Sequence, residues 1–269
     1  MVNVVATGGV MVTGIIDLPV FQVALAYFFV LIVLIIVRFL GIKREKEIII
    51  SSVRMTLQLI LTGYVLVYVF NNPNPMITLG IIILMEAFAV HTVFSKFRGK
   101  LSKPLKRVIA LSMSIGTLSC LVYFLVIIVR ISPWYEPQYF VPIAGMLIGN
   151  SMTGISLGVK SLLEGMNTQR ALVEEALILG ATPQAATKSI INSTFDAAIM
   201  PTINSMVGMG IVFLPGMMTG QILSGTAPTT AIAYQLAIML GILGAVALTI
   251  ILMLQLGYRT FFNKEEQLR

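Results

Sequence analysis

The sequence predicts an all-α integral membrane protein of about seven transmembrane helices, with the N-terminus outside and the C-terminus cytoplasmic. Three observations carry this. The chain of 269 residues is 57% hydrophobic and 11% charged, where a soluble domain runs at about 45–50% and about 25%. Its apolar residues lie in runs long enough to cross a bilayer. Its basic residues gather on alternate loops. A soluble globule of this size needs far more polar surface to cover its core, so soluble enzymes and disordered chains are excluded. The single cysteine, Cys120, excludes an intramolecular disulfide and a CxxC metal site.

A helix needs about 20 apolar residues to span the hydrocarbon core. Runs this long exclude a β-barrel, whose strands are short and alternating. Residues 1–18 come before any span. Residues 2–16 are apolar, short and glycine-containing, which fits an extracytoplasmic interfacial or re-entrant segment. The first basic residue is Arg38, so there is no positive n-region of a cleaved signal peptide.

The transmembrane domain, 19–256, then follows in order. The first span is Pro19–Leu40, closed by Lys43, Arg44 and Lys46. The second and third, Ile48–Phe70 and Met76–Phe94, are joined by the uncharged Asn71–Pro75 turn. A loop holding Lys96, Arg98, Lys100, Lys103, Lys106 and Arg107 leads to the fourth, Val108–Val129. The fifth is Val141–Val159, followed by a segment, 160–189, carrying Lys160, Arg170 and Lys188. The sixth and seventh are Ile190–Leu214 and Ala231–Leu256. Residues 257–269 form a cytoplasmic tail with Arg259, Lys264 and Arg269. Fifteen of the 18 basic residues therefore fall on one side, which the positive-inside rule makes cytoplasmic. The 96–107 loop reads first as this topology signal and second as a surface for anionic lipid or an acidic partner. No internal repeat, low-complexity tract or soluble domain is visible.

The 160–189 segment is the most informative. Residues 168–190 read TQRALVEEALILGATPQAATKSI. Leu172, Ala176 and Leu179 share one helical face, with Val173 and Leu177 beside it. Gly180 ends this helix at the left-handed C′ position. Thr182 then caps a new helix and Pro183 takes its first position.

These residues resemble the EAA loop of ABC-transporter permeases: Glu-Ala-Ala, three residues, Gly, nine residues, Ile, one residue, Leu-Pro. Here Glu174, Glu175 and Ala176 precede Leu177-Ile178-Leu179 and Gly180, and Ile190 follows at the family's spacing. Asn192-Ser193 stands where the family has Leu-Pro. Three blocks further resemble the iron-export (FetB-type) permease family, related to plant aluminium-tolerance proteins: PIAGMLIGNSM at 142–152, LGATPQ at 179–184 and LPGMMTG at 214–220. The likeness runs from Val20 to Phe262.

The resemblance implies a permease subunit that exports a metal cation such as iron across the cell membrane. It implies that Glu174, Glu175, Ala176, Gly180, Ala181, Thr182 and Pro183 form a cytoplasmic coupling helix docking on an ATPase subunit. Two permeases and two ATPases would form the working unit in the lipid bilayer. No G-x-x-x-x-G-K-[ST] phosphate loop occurs in the chain. ATP and Mg are therefore expected in the partner, and no cofactor, nucleic acid or catalytic residue in this chain.

Charged side chains inside spans are costly and mark function or pairing. Arg54 and Gln58 lie in the second span, Glu86 and His91 in the third, Asn150 in the fifth, Asp196 and Asn204 in the sixth. One reading is structural: Arg54 pairs with Asp196 or Glu86. The other is a translocation path of Glu86, Asn150, Asp196 and Asn204, with Glu86, His91 and Asp196 ligating a passing metal. The 16 methionines, dense from Met200 to Met218, read as packing residues rather than Cu(I) ligands. Gly145/Gly149, Gly154/Gly158 and Gly216/Gly220 are G-x-x-x-G packing motifs, and the fifth span is a candidate for local unwinding around Asn150. Pro201 and Pro215 bracket an expected kink in the sixth span.

Two other classes compete. A stand-alone secondary transporter or ion channel would use Arg54, Glu86 and Asp196 as its coupling-ion site. An intramembrane enzyme would need Ser151 and His91 as nucleophile and base, without the motif context such a site requires.

Overall fold

The computed structural model describes residues 17–263 and 265–268. The expected N-terminal interfacial segment, 2–16, lies outside the described residues. The described residues are helical throughout, apart from turns and two isolated bridges. They fall into two compact units, residues up to 72 with 219–231, and residues 73–218 with 232–269. The stretch 19–256, expected as one membrane domain, thus contributes to both.

The first unit holds α1 (Val20–Phe39) and α2 (Glu45–Asn71). These pair with each other, and the Tyr27 hydroxyl is hydrogen-bonded to Thr56. Helix α1 buries none of its side chains. In water such a helix would be unstable; in lipid an all-apolar surface is the expected exterior. The Arg44–Glu47 ion pair at the start of α2 stands in the basic loop after α1.

The second unit begins with α3 (Pro75–Lys96), capped by Asn74, whose side chain accepts from Met76 N at 2.8 Å. Helix α4 (Lys103–Tyr123) is capped by Ser102 and runs on as one π-helical turn, Phe124–Val129. Helix α5 (Pro137–Thr168) is the centre of the unit and packs on α3, on α4 and above all on α8. It continues without interruption through Asn150, so the candidate unwinding there does not occur. The Asn150 amide donates back to the Met146 carbonyl at 2.8 Å, which satisfies it inside the helix's own ladder. Helices α6 (Arg170–Ile178) and α7 (Pro183–Ala186) form the connecting segment, and α8 (Lys188–Gly208) returns along α5. Helix α9 (Gly216–Leu223) is short, and α10 (Pro228–Gly257) ends in a 3₁₀ turn, Tyr258–Phe261.

Six helical stretches combine span length with apolar composition: α1, α2, α3, α4 with its π-turn, α5, and α10 with its 3₁₀ turn. The seventh expected span is α8. At 21 residues it is long enough to cross, but Asn192, Ser193, Thr194, Asp196, Thr202, Asn204 and Ser205 set it apart from the six. Protein shelters only part of it: Ala198 and Ile199 are buried and Ser161 on α5 donates to Thr194 at 3.3 Å, while Asn192, Ser193, Asp196 and Asn204 are exposed. It also stops at Gly208, short of the expected Leu214, because Gly210 turns the chain at φ +83°. Pro201 sits inside α8 and Pro215 precedes α9.

Close approach replaces the hydrophobic drive that helices lack in lipid. A Cβ on Gly154 would stand 2.9 Å from Val246, and one on Gly158 2.8 Å from Met253. That motif is a contact face for α10. At Gly149, Gly216 and Gly220 an added Cβ would meet nothing within 4 Å among the described residues, so no close helix approach uses them there.

Candidate functional site

Two regions of the second unit gather the residues singled out from sequence. The first is the α6–α7 turn. Helix α6 is fixed by Val173, which is 1% exposed, and braced by Arg170, whose Nε lies 2.8 Å from Glu174 Oε1. It ends in a Schellman motif. Ala181 N donates to Ala176 O at 2.9 Å and Gly180 N to Leu177 O at 3.0 Å, with Gly180 at φ +88°. Thr182 caps α7 by accepting from Ala185 N at 3.3 Å, and Pro183 occupies the first helical position. The local geometry expected for Gly180, Thr182 and Pro183 is therefore present.

Leu172 and Leu179, on the expected apolar face, point outward, and Val173 beside that face is the buried anchor. Ile178 and Leu179 at the tip are 84% and 87% exposed. Apolar side chains this exposed, beside Glu174 and Glu175, form a small rigid knob. Next to it is a cleft of 550 Å³, lined on one side by Glu174, Leu177 and Ala181 and on the other by Glu265, Glu266 and Leu268. The tail is ordered there by Asn263, whose Oδ1 accepts from Glu265 N and Gln267 N at 2.9 and 2.8 Å. Sequence reading missed this tail contact; the Asn-x-Glu spacing of an Asx turn is the signal that was available.

The second region is inside the helices. Glu86 on α3 is 7% exposed, and Thr117 Oγ1 on α4 stands 3.0 Å from its Oε2. The other carboxyl oxygen, Oε1, is buried with no partner among the described residues. Glu86 and the exposed His91 line the same cleft of 510 Å³, together with Ser114 of α4. Asp196 lines a separate cleft with Asn192, Phe195 and Gln255. The three expected metal ligands are thus not one site in the chain, and no three His, Cys, Asp or Glu side chains among the described residues cluster as a metal cage. The reason is placement: Asp196 is on α8 against α10, whereas Glu86 and His91 are on α3 against α4.

The expected Arg54–Asp196 ion pair belongs to neither unit's own packing. Asp196 has no ion-pair partner among the described residues, and Arg54 lies on α2 in the first unit. Asn150 and Asn204 are both exposed on their helices, away from Glu86 in the lining of its cleft. Ser151 is fully buried on α5 while His91 is exposed on α3, so a Ser151–His91 nucleophile pair has no structural basis. Thr117 and Ser114 were not anticipated; hydroxyls one turn apart on an apolar helix are their only trace in the sequence.

Comparison with known proteins gives a consistent result. A family model described as "Uncharacterised protein family (UPF0014)" matches residues 20–262. The probable iron export permease protein FetB of Escherichia coli is 32% identical, covering 92% of this chain and 93% of its own. The protein ALUMINUM SENSITIVE 3 of Arabidopsis thaliana is 36% identical over 85% of this chain and 82% of its own. The membrane protein YjkA of Bacillus subtilis is 32% identical over 92% and 97%. No solved structure matches.

Proposed function

The chain belongs to the UPF0014 family of multi-pass membrane proteins, and on that premise we propose that it is the permease subunit of an ABC transporter exporting a metal cation such as iron. A separate subunit hydrolyses ATP with Mg, and two permeases pair with two ATPases. The basic loops, the α6–α7 turn and the tail face the cytoplasm of the cell membrane.

The observation that carries this reading is the rigid apolar tip at Ile178 and Leu179, 84% and 87% exposed. Such side chains on a stiff turn outside the membrane call for a protein partner. The turn coincides with the EAA-like run Glu174–Gly180, which points to an ATPase as that partner. The permease named among the relatives supports the direction and the cargo. ATP-driven closure of the ATPases would displace the turn and bias the helices between inward- and outward-open states.

The test is a mild-detergent pull-down of the tagged chain from its own membrane, with mass spectrometry of its companions. The expected result is a stoichiometric P-loop ATPase whose activity then responds to one of Fe, Mn, Zn, Cu or Al. A chain that comes down alone overturns the reading in favour of a gradient-driven transporter.

A further inference from the structure

Glu86 is short of partners in a place where that matters. A carboxylate offers about four acceptor positions. Among the described residues this one has a single hydrogen-bonding neighbour in reach, the Thr117 hydroxyl at 3.0 Å from Oε2. That hydroxyl has one hydrogen and lies closer, at 2.7 Å, to the Met113 carbonyl oxygen. It serves one acceptor at a time. The Oε1 atom is fully buried and has no partner among the described residues. A carboxyl group 93% removed from solvent, between two membrane helices, is not retained in this condition for packing alone.

The surroundings of Glu86 indicate what completes it. It lines a cleft of 510 Å³ whose other polar lining side chains are His91 and Ser114, set among apolar walls such as Ile82, Val90 and Leu118. His91 follows Glu86 by five residues, about 7.5 Å along the helix. Glu86 is buried and His91 is exposed, so the carboxylate lies at the inner end and the imidazole at the mouth. A proton alone would leave the imidazole and the cavity without a use. A combination of carboxylate, imidazole and hydroxyl suits a divalent first-row transition cation.

We propose that the α3–α4 cleft is a divalent transition-cation site, with Glu86 as its inner ligand and His91 as the ligand at its mouth. Ser114 and water supply the remaining oxygens. Two strong protein ligands and one neutral hydroxyl make a weak, open site rather than a cage. That is what passage requires, since an ion must be able to leave as well as enter. Asp196 has no part in it. That the bound ion is the exported cargo rests on the permease reading; that the cleft binds an ion does not.

The experiment uses the purified full chain in lipid nanodiscs, without any ATPase, and Co²⁺ as the probe. Equilibrium dialysis gives affinity, and the visible d–d bands report the ligands. The wild type should bind Co²⁺ saturably. Glu86→Gln, which keeps the shape, should abolish saturable binding. His91→Ala should shift the bands as nitrogen ligation is lost. Thr117→Val, which frees the carboxylate from its one orienting group, should weaken binding about tenfold. Asp196→Asn should bind as the wild type does. The proposal is overturned if Glu86→Gln binds normally or if Asp196→Asn abolishes binding. Should Glu86→Gln fail to fold by its melting curve, Glu86→Asp decides: an altered d–d spectrum supports the site and an unchanged one overturns it. Failure to recover an ATPase would remove the permease reading and leave this result standing.

Discussion

Thr249 on α10 stands so close to Gly116 on α4 that a methyl group on the glycine would collide with the threonine Oγ1 and lie 2.9 Å from its Cα. The threonine backbone cannot retreat without moving its helix. Gly116→Ala should therefore wedge α4 from α10 and cost about 1–3 kcal/mol, the usual range for overpacking a tight core. Thermal unfolding in detergent measures it. Gly149→Ala, with nothing within 4 Å, should melt like the wild type.

Gly180 holds φ +88° at the end of α6. A β-branched residue there is strained, while asparagine tolerates the same conformation. Gly180→Val should insert into the membrane normally and lose its ATPase partner and transport. Gly180→Asn should keep both. Membrane fractionation with pull-down reads the two together. Retention of partner and transport by Gly180→Val would show that this turn does not couple.

The buried and exposed apolar residues of the turn should separate stability from docking. Ile178 and Leu179 support no core, so the double change Ile178→Asp with Leu179→Asp should shift stability by no more than about 0.5 kcal/mol. It should nonetheless abolish capture of the ATPase. Val173→Ala removes two buried methyl-sized units and should cost about 2 kcal/mol. Its readout is faster proteolysis of the 170–186 segment.

Thr182 accepts a hydrogen bond from Ala185 N at 3.3 Å as the cap of α7. Thr182→Ala should cost about 1 kcal/mol. Faster amide exchange at Ala185, without change in the membrane helices, is the measurement.

What could be read in the sequence was what is decided locally. Gly180, Thr182 and Pro183 specify their turn through their own backbone preferences, and they form it. Long apolar runs specify helices in lipid because nothing else satisfies the backbone there. Partnership between distant elements was less legible. Gly154 and Gly158 were marked by their spacing, but Gly116 against Thr249, Gly165 against Ile190 and Gly241 against Phe124 carry no such spacing. Periodicity assigns a face to a helix and does not say what meets it. That is why Glu86 and Asp196, grouped as intramembrane carboxylates, line different clefts. It is also why the face shared by Leu172 and Leu179 did not disclose that both point out while Val173 is buried.

The unbroken course of α5 has a mechanical meaning. The helix is 32 residues long, about 48 Å end to end. Its stretch from Lys160 to Thr168 projects past the expected span by about 13 Å, and the stretch from Pro137 to Val159 runs back for about 34 Å. Helix α6 begins two residues beyond Thr168, so the turn adjoins the short arm of one continuous helix, whose internal proline, Pro142, lies near the far end. With a fulcrum at the membrane face, a sideways push delivered to the short arm would reappear at the far end reversed in direction and enlarged about two and a half times. On the proposed permease reading, a small stroke at the turn would then suffice to open the opposite side.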